Sequence, residues 1–261
     1  MTDLPSAEHG QAAYRIRFDW GLAGARAMVA DAGPEDVAVV VDVLSFTTTL
    51  TVAVEKGIAV YPYPWAEAEA SAYAEQRAAV LARGRLEGLA SGAASLSPAS
   101  FEGAAGVERV VLPSPNGSTI AFALAEAGVT LVGACLRNAA EVGRTLSEWE
   151  RVFVVAAGER WPDGSLRPAV EDLWGAGAVL ATLLEVVGTE GASPEVISAV
   201  AAFDGVRHRV GHALRDCASG RELVAAGFGR DVEIAADVGS SGVVPTLRGE
   251  AFVDAGTTVG Q

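Results

Sequence analysis

Cysteine is nearly absent from this chain and histidine is scarce, with two of the first, Cys135 and Cys217, and three of the second in 261 residues. Two thiols far apart in sequence form neither a disulfide framework nor a zinc-ligand spacing, which excludes a small cross-linked domain and points to a reducing cytoplasm. His208 and His212 stand four apart, but no acidic signature completes a zinc site, so both read as surface or packing residues. Basic residues are outnumbered, 19 against 33 acidic ones, for a formal charge of -14. That charge repels nucleic acid and anionic membranes. An anionic small substrate would need a local Arg, backbone amides or a divalent cation to offset it. No apolar run approaches the roughly 18 residues of a membrane span, and residues 1–11 lack the basic-then-apolar order of an export signal.

Familiar phosphate-handling signatures are missing too. Leu44, not Asp, stands two positions after Asp42, which excludes the two-aspartate phosphatase signature. Glu141 and Leu223 stand where a cysteine-phosphatase loop would place Arg. No Gly-x4-Gly-Lys-Ser/Thr loop occurs, and Gly175-Ala176-Gly177 falls inside a helical stretch rather than a strand-to-helix turn.

What is present is a half-apolar chain in which strand-length apolar runs alternate with helix-period segments, the pattern of βα units feeding a mainly parallel sheet. The spacing predicts strands over 37–43, 58–63, 108–113, 129–136 and 152–157, and helices over 46–56, 65–79, 118–127, 139–149 and 171–187. Residues 83–106 read as a Gly/Ala/Ser-rich loop region with one marginal strand, and 158–168 as a polar loop. Helices over 194–203 and 207–217 form a helical appendage within 193–220. Short strands follow over 232–238 and 251–253. One α/β domain over 13–261 is expected behind a tail of residues 1–12.

Four constellations carry candidate chemistry. Asp42 closes the run Val37-Ala38-Val39-Val40-Val41 and precedes Ser45-Phe46-Thr47-Thr48-Thr49, at a strand end where open α/β sheets bind ligands and helix amides bind phosphate. It reads equally as the cap of that helix. Pro113 to Thr119, with Asn116-Gly117-Ser118 at its centre, turns from strand to helix as an anion cradle or as ordinary turn-and-cap chemistry. Ala157-Gly158-Glu159, followed by Glu171-Asp172 at a helix start, gathers the oxygen ligands that Mg²⁺ prefers, although a carboxylate pair there also complements the helix dipole. Asp237, with Asp231 and Ser240-Ser241 nearby, ends the apolar run Ile234-Ala235-Ala236.

The order of these motifs resembles the 2-phosphosulfolactate phosphatase (ComB-like) family. The matching segments are Asp42-Val43-Leu44-Ser45 with Thr47-Thr48-Thr49, Pro115-Asn116-Gly117-Ser118, Asn138-Ala139, Ala157-Gly158 with Glu171-Asp172, and Asp237-Val238-Gly239 with Val243-Val244-Pro245. The resemblance implies a three-layer α/β/α fold and an Mg²⁺-dependent phosphohydrolase. Ser45 stands where the family has Arg, which removes a fork of donors unless Arg83, Arg85 or Arg137 replaces it. The family's Gly-Glu-Arg-Gly and Gly-Asn-Ser-Pro segments become Arg83-Gly84-Arg85 and Ser95-Leu96-Ser97-Pro98.

These readings combine into a cytoplasmic Mg²⁺-dependent phosphatase of a small phosphorylated acid, the family-implied substrate being 2-phosphosulfolactate. Asp42, Asn116, Glu171 and Asp172 are its catalytic candidates. Asp42, Glu171, Asp172 and Asp237 are the candidate metal ligands, and Ser45, Thr47, Thr48, Gly117, Ser118, Arg137 and Asn138 the candidate phosphate or substrate contacts. Two rivals stand beside this reading: a non-catalytic ligand-binding or regulatory protein on the same scaffold, and a phosphatase for a different metabolite. A cation delivered to the Asp42 edge by the 83–97 segment counts against the first. Mean hydropathy of +0.30 is compatible with burying some surface in a homodimer.

Overall fold

The computed structural model describes residues 7–256 apart from 65, 66, 92 and 105. In chain order the first half runs β1 (Ile16–Trp20), α1 (Gly21–Met28), β2 (Asp36–Val41), α2 (Phe46–Glu55), β3 (Ala59–Pro64), α3 (Glu67–Gln76), β4 (Val80–Leu81), α4 (Arg85–Ser91), β5 (Arg109–Ser114) and α5 (Gly117–Glu126). The second half runs β6 (Thr130–Ala134), α6 (Ala139–Thr145), β7 (Arg151–Ala156), β8 (Glu159–Arg160), β9 (Leu166–Arg167), α7 (Val170–Val187), α8 (Pro194–Asp204), α9 (Val210–Asp216), α10 (Ala218–Ala225), α11 (Gly229–Ala235), β10 (Pro245–Arg248) and β11 (Ala251–Asp254).

Nine strands form one sheet in the order β1-β7-β2-β6-β10-β11-β3-β5-β4. Every residue of β2 is buried, because helices cover both faces and a strand so placed needs no polar side. Its side chains alternate: Val37, Val39 and Val41 enter one core with Val179, Leu180 and Leu183 of α7, and Ala38 and Val40 enter the other with Phe46 and Leu50 of α2 and Leu124 of α5. The result is the expected three-layer α/β/α arrangement. Gly175 lets α7 lie against the end of β2, since a Cβ there would sit 2.5 Å from Val43 Cγ2. No described helix is long and apolar enough to cross a membrane.

Within this architecture the sheet is not a uniform parallel one. β1, β7, β2 and β6 run parallel, as do β3, β5 and β4, but three successive antiparallel pairings, β6 with β10, β10 with β11 and β11 with β3, separate the two blocks. The blocks therefore run in opposite directions. Five strand-to-strand steps lead from β2 to β5, and at roughly 20–25° of twist per step the two are rotated by about 100° or more.

Four local expectations change. Residues 83–106, read as a loop region with one marginal strand, contain helix α4. Residues 232–238, read as a strand, belong to helix α11 and the turn after it. A run as short as Ile234-Ala235-Ala236 has no period that separates strand from helix, and Val232 and Ala235 are buried on one helical face. Residues 1–6 of the expected tail lie outside the described residues, whereas 7–12 fold onto β1. There the Gln11 amide donates to Phe18 O at 2.7 Å, and the buried Arg17 guanidinium donates to Gly10 O, Met28 O and Asp31. The polar loop over 158–168 contains the hairpin β8–β9. The helices of 193–220 share the core on the α7 side of the sheet through Val196, Ala199, Phe203 and Leu214.

Candidate active site

Asp42 leaves the end of β2 into a turn pinned by threonines. Thr47 Oγ1 accepts from Asp42 N at 2.9 Å and donates to Asp42 O at 2.7 Å, and Thr48 Oγ1 donates to Val43 O at 2.7 Å. Both hydroxyls, expected to face a phosphate, are fully buried and engaged by the backbone. Their effect is to fix the direction of the Asp42 side chain. Its Oδ1 accepts from Phe46 N at 3.1 Å and its Oδ2 from Gly117 N at 2.9 Å, so the first amides of α2 and α5 converge on one carboxylate. The Gly117 amide, expected to stabilise a phosphoryl oxygen, thus holds Asp42, and Ser118 Oγ donates to Leu112 O at 2.7 Å.

Asp172, in the first turn of α7, ties the ends of two neighbouring strands. Its Oδ1 accepts from Val43 N at 2.7 Å, after β2, and its Oδ2 from Gly158 N at 2.9 Å, after β7. Burial, then the neighbouring charges of Asp42 and Glu171, pushes the Asp172 carboxyl well above the usual carboxylate range. Burial and the charge of Glu159 push Asp42 up to about 7 against the pull of the two amides and of Arg85. Glu171 is buried as well and faces the Cys217 thiol, which burial first and Glu171 second push up to about 12. Burial and the facing carboxylate both disfavour the Cys217 thiolate.

Asn116 is held by the β8–β9 hairpin. Its Nδ2 donates to Glu159 Oε2 at 3.0 Å, while Arg160 Nε donates to Asn116 Oδ1 at 3.2 Å and Arg160 Nη2 to Pro115 O at 3.2 Å. Burial raises the Glu159 carboxyl, opposed by Arg167 and by the Asn116 bond. The 83–97 segment brings a cation to this edge: Arg85 Nη2 donates to Ser45 Oγ, and Arg85 Nε to Asp231 Oδ2 at 3.4 Å. Asp231 is buried and takes a second hydrogen bond from Ser97 Oγ.

Three expected site residues lie elsewhere. Arg137 reaches Glu55, at the far end of α2 from Asp42, and pairs with Asp237 at 3.4 Å. Ten residues of helix separate the two places, about 15 Å at the usual rise. Asp237, whose side chain is 65 % exposed, is therefore no partner of Asp42 in holding a cation. Asn138 is a structural side chain: its Oδ1 accepts from Cys135 N at 2.8 Å and its Nδ2 donates to Gly133 O and Val243 O. Arg160, Asp231 and Ser97 were not singled out for the Asp42 edge from sequence as contributors of its hydrogen bonds, because no local pattern marks a partner more than forty residues away.

Among the described residues no three His, Cys, Asp or Glu side chains gather as a metal cage, so the expected set of four carboxylates is not assembled. Asp42 and Asp172 nevertheless fit a divalent cation of Mg²⁺ type. They are buried, repel one another, and each oxygen that accepts one amide keeps a second lone pair. Mg²⁺ binds through one or two carboxylates plus water and substrate phosphate rather than through an all-protein cage.

The sequence matches the family model described as 2-phosphosulpholactate phosphatase over residues 26–250. It is also 31 % identical over 225 residues to a Deinococcus radiodurans protein named "Probable 2-phosphosulfolactate phosphatase", covering 84 % of this chain and 91 % of the relative. The matched span contains β2, both helix starts that hold Asp42, the Asn116 turn, the β8–β9 hairpin and Asp172. The chain belongs to the 2-phosphosulfolactate phosphatase family, a family of phosphoric monoester hydrolases.

Proposed function

We propose that the chain hydrolyses the phosphate monoester of a small anionic acid, 2-phosphosulfolactate, to sulfolactate and phosphate, with Mg²⁺ held by Asp42 and Asp172. The observation that carries this reading is the buried Asp42 carboxylate, gripped by the first amides of α2 and α5, with Asp172 beside it and the Arg85 guanidinium across Ser45. Mg²⁺ would neutralise the two carboxylates and polarise the phosphoryl group.

In net terms hydrolysis forms a bond from a water oxygen to phosphorus and breaks the ester P–O bond; the water releases one proton and the departing alkoxide takes one. Glu159 is the group suited to hold one: its carboxyl is raised by burial, and it is fixed by the Asn116 amide close enough to Asp42 to act on its charge. Asp42, unable to rotate between its two amides, presents a carboxylate of one orientation to the reacting centre. A binding-only protein would rest on the lack of a cation at this edge, and Arg85 counts against it. Phosphate release from a panel of small phosphorylated acids, 2-phosphosulfolactate among them, tests the proposal with Mg²⁺ and with EDTA. Metal-dependent release is expected, and silence across the panel with Mg²⁺ present would overturn it.

A further inference from the structure

A phosphorylated acid has a phosphoryl end and an acid end, the latter a carboxylate that 2-phosphosulfolactate joins to a sulfonate, and a cation held by Asp42 and Asp172 would account for the first. With a net charge of -14 the surface as a whole repels the other, so a local cation must receive it. Arg85 is placed to do so. Its guanidinium reaches Ser45, the residue before the amide that holds Asp42, and its charge is felt at Asp42. On its other side it stands in the wall of a cavity of about 620 Å³, lined also by Ser95, Ser97, Ser100, Arg230 and Asp231.

The charges of that wall are paired with one another, and Arg85 is the cation that keeps donors to spare. Two guanidiniums face one carboxylate there, and Asp231 is already engaged by Arg85 and Ser97. Arg230 is committed to Glu102 and Glu233, leaving Arg85 as the better donor. Asp231 is buried while the Arg85 side chain keeps 20 % exposure, so the pair orients the guanidinium without sealing it. A guanidinium carries five N–H donors, more than the bonds to Ser45 and Asp231 use. Its planar fork matches a carboxylate or sulfonate.

We infer that Arg85 is the specificity-determining residue for the non-phosphoryl anionic end of the substrate, which it receives in the cavity beside Ser97. This rests on the phosphatase reading and adds the part of the substrate that the Asp42 cradle does not touch. The test compares kcat and KM of the wild type and Arg85→Ala on 2-phosphosulfolactate, 2-phospholactate and glycerol 2-phosphate, the last having no second anionic group. Loss of one charge-assisted pair should raise KM for the two acids by roughly 10- to 100-fold. KM for glycerol 2-phosphate, which makes no such pair, should change by a clearly smaller factor, set only by the loss of a charge felt at Asp42.

An equal effect on all three esters would overturn the inference and assign Arg85 to the phosphoryl group; no effect on any would overturn it as well. Arg85→Lys, which keeps a charge and a stem, serves where the alanine variant does not fold, and an intermediate rise in KM confined to the acids is expected. Wild-type silence on every ester would sink the phosphatase reading alone. Calorimetric titration with sulfolactate then tests Arg85 separately: weaker binding by the variant supports the assignment, and equal binding removes it.

Discussion

The Asp42 carboxylate accepts the amide of Gly117 at 2.9 Å although the two lie 75 residues apart, at the ends of strands in opposed blocks of the sheet. The carboxylate thereby occupies the anion position that the start of α5 offers, and it is presented to the pocket as a fixed group rather than a mobile side chain. A Cβ at Gly117 would lie 2.5 Å from the Phe46 ring and 2.6 Å from Asp42 Oδ2.

Gly117→Ala is therefore expected to push α5 away from Asp42. Overpacking of this kind costs about 1–3 kcal/mol, read as a lower denaturation midpoint in urea, and the release of one Asp42 oxygen lowers kcat. An alanine variant with wild-type stability and turnover would mean that the close approach has no consequence.

Asp42→Asn keeps the size of the side chain but removes the charge and one of the two acceptors that face Phe46 N and Gly117 N. Turnover should fall by roughly 100-fold or more, as when a preorganised charge is deleted. Far-UV circular dichroism, unchanged from wild type, would confine the effect to the chemistry. Retained turnover would remove Asp42 from the mechanism.

Stability of the metal-free protein should decline as pH rises. The folded carboxyls of Asp42, about 7, and of Asp172 stand above the ordinary value of 3.8, so between roughly pH 4 and 7 the folded state binds more protons than the unfolded one. The stability that these protons contribute is complete below the unfolded value and is lost as pH climbs through the folded one. Scanning calorimetry in EDTA is expected to give a lower Tm at about pH 8 than at about pH 5.5 from these two groups, with a shallower slope for Asp42→Asn. Mg²⁺, which needs the deprotonated carboxylates, should raise Tm more at the higher pH. The opposite ordering of the Mg²⁺ effect would argue against these two ligands.

Asp237→Asn tests the separation of the two ends of α2. The side chain is mostly exposed and pairs with Arg137, so kcat/KM should stay within about twofold and stability within roughly 0.5 kcal/mol of wild type. A large loss of activity would bring Asp237 back to the metal.

The elements that frame the site were legible in the sequence because their signals are local. A run of buried branched residues, the step from period 2 to period 3.6, and an acidic pair at a helix start each reside within a dozen residues. Asp42, Asn116 and Asp172 could be singled out on that basis, and the family resemblance ordered them. α11 was misread for the same reason, since a short apolar run carries no period of its own. The partners of each polar group were another matter. Thr47 and Thr48 turn to the backbone, Asp172 joins two strand ends, Arg85 finds Ser45, and Asp237 goes to the wrong end of α2 for metal binding.

The chain itself thus determined that β2 would be buried on both faces, that Asp42 would end it, and that an acidic protein would need local amides and cations for an anionic substrate. Only the tertiary structure decided which amides and which cation. Three antiparallel pairings reverse half of the sheet, and the turn after β5 nonetheless meets the end of β2 through the Gly117 amide. Hydrogen bonds between groups so distant in sequence form when burial leaves them no water to bond instead, a condition that no local pattern of residues contains.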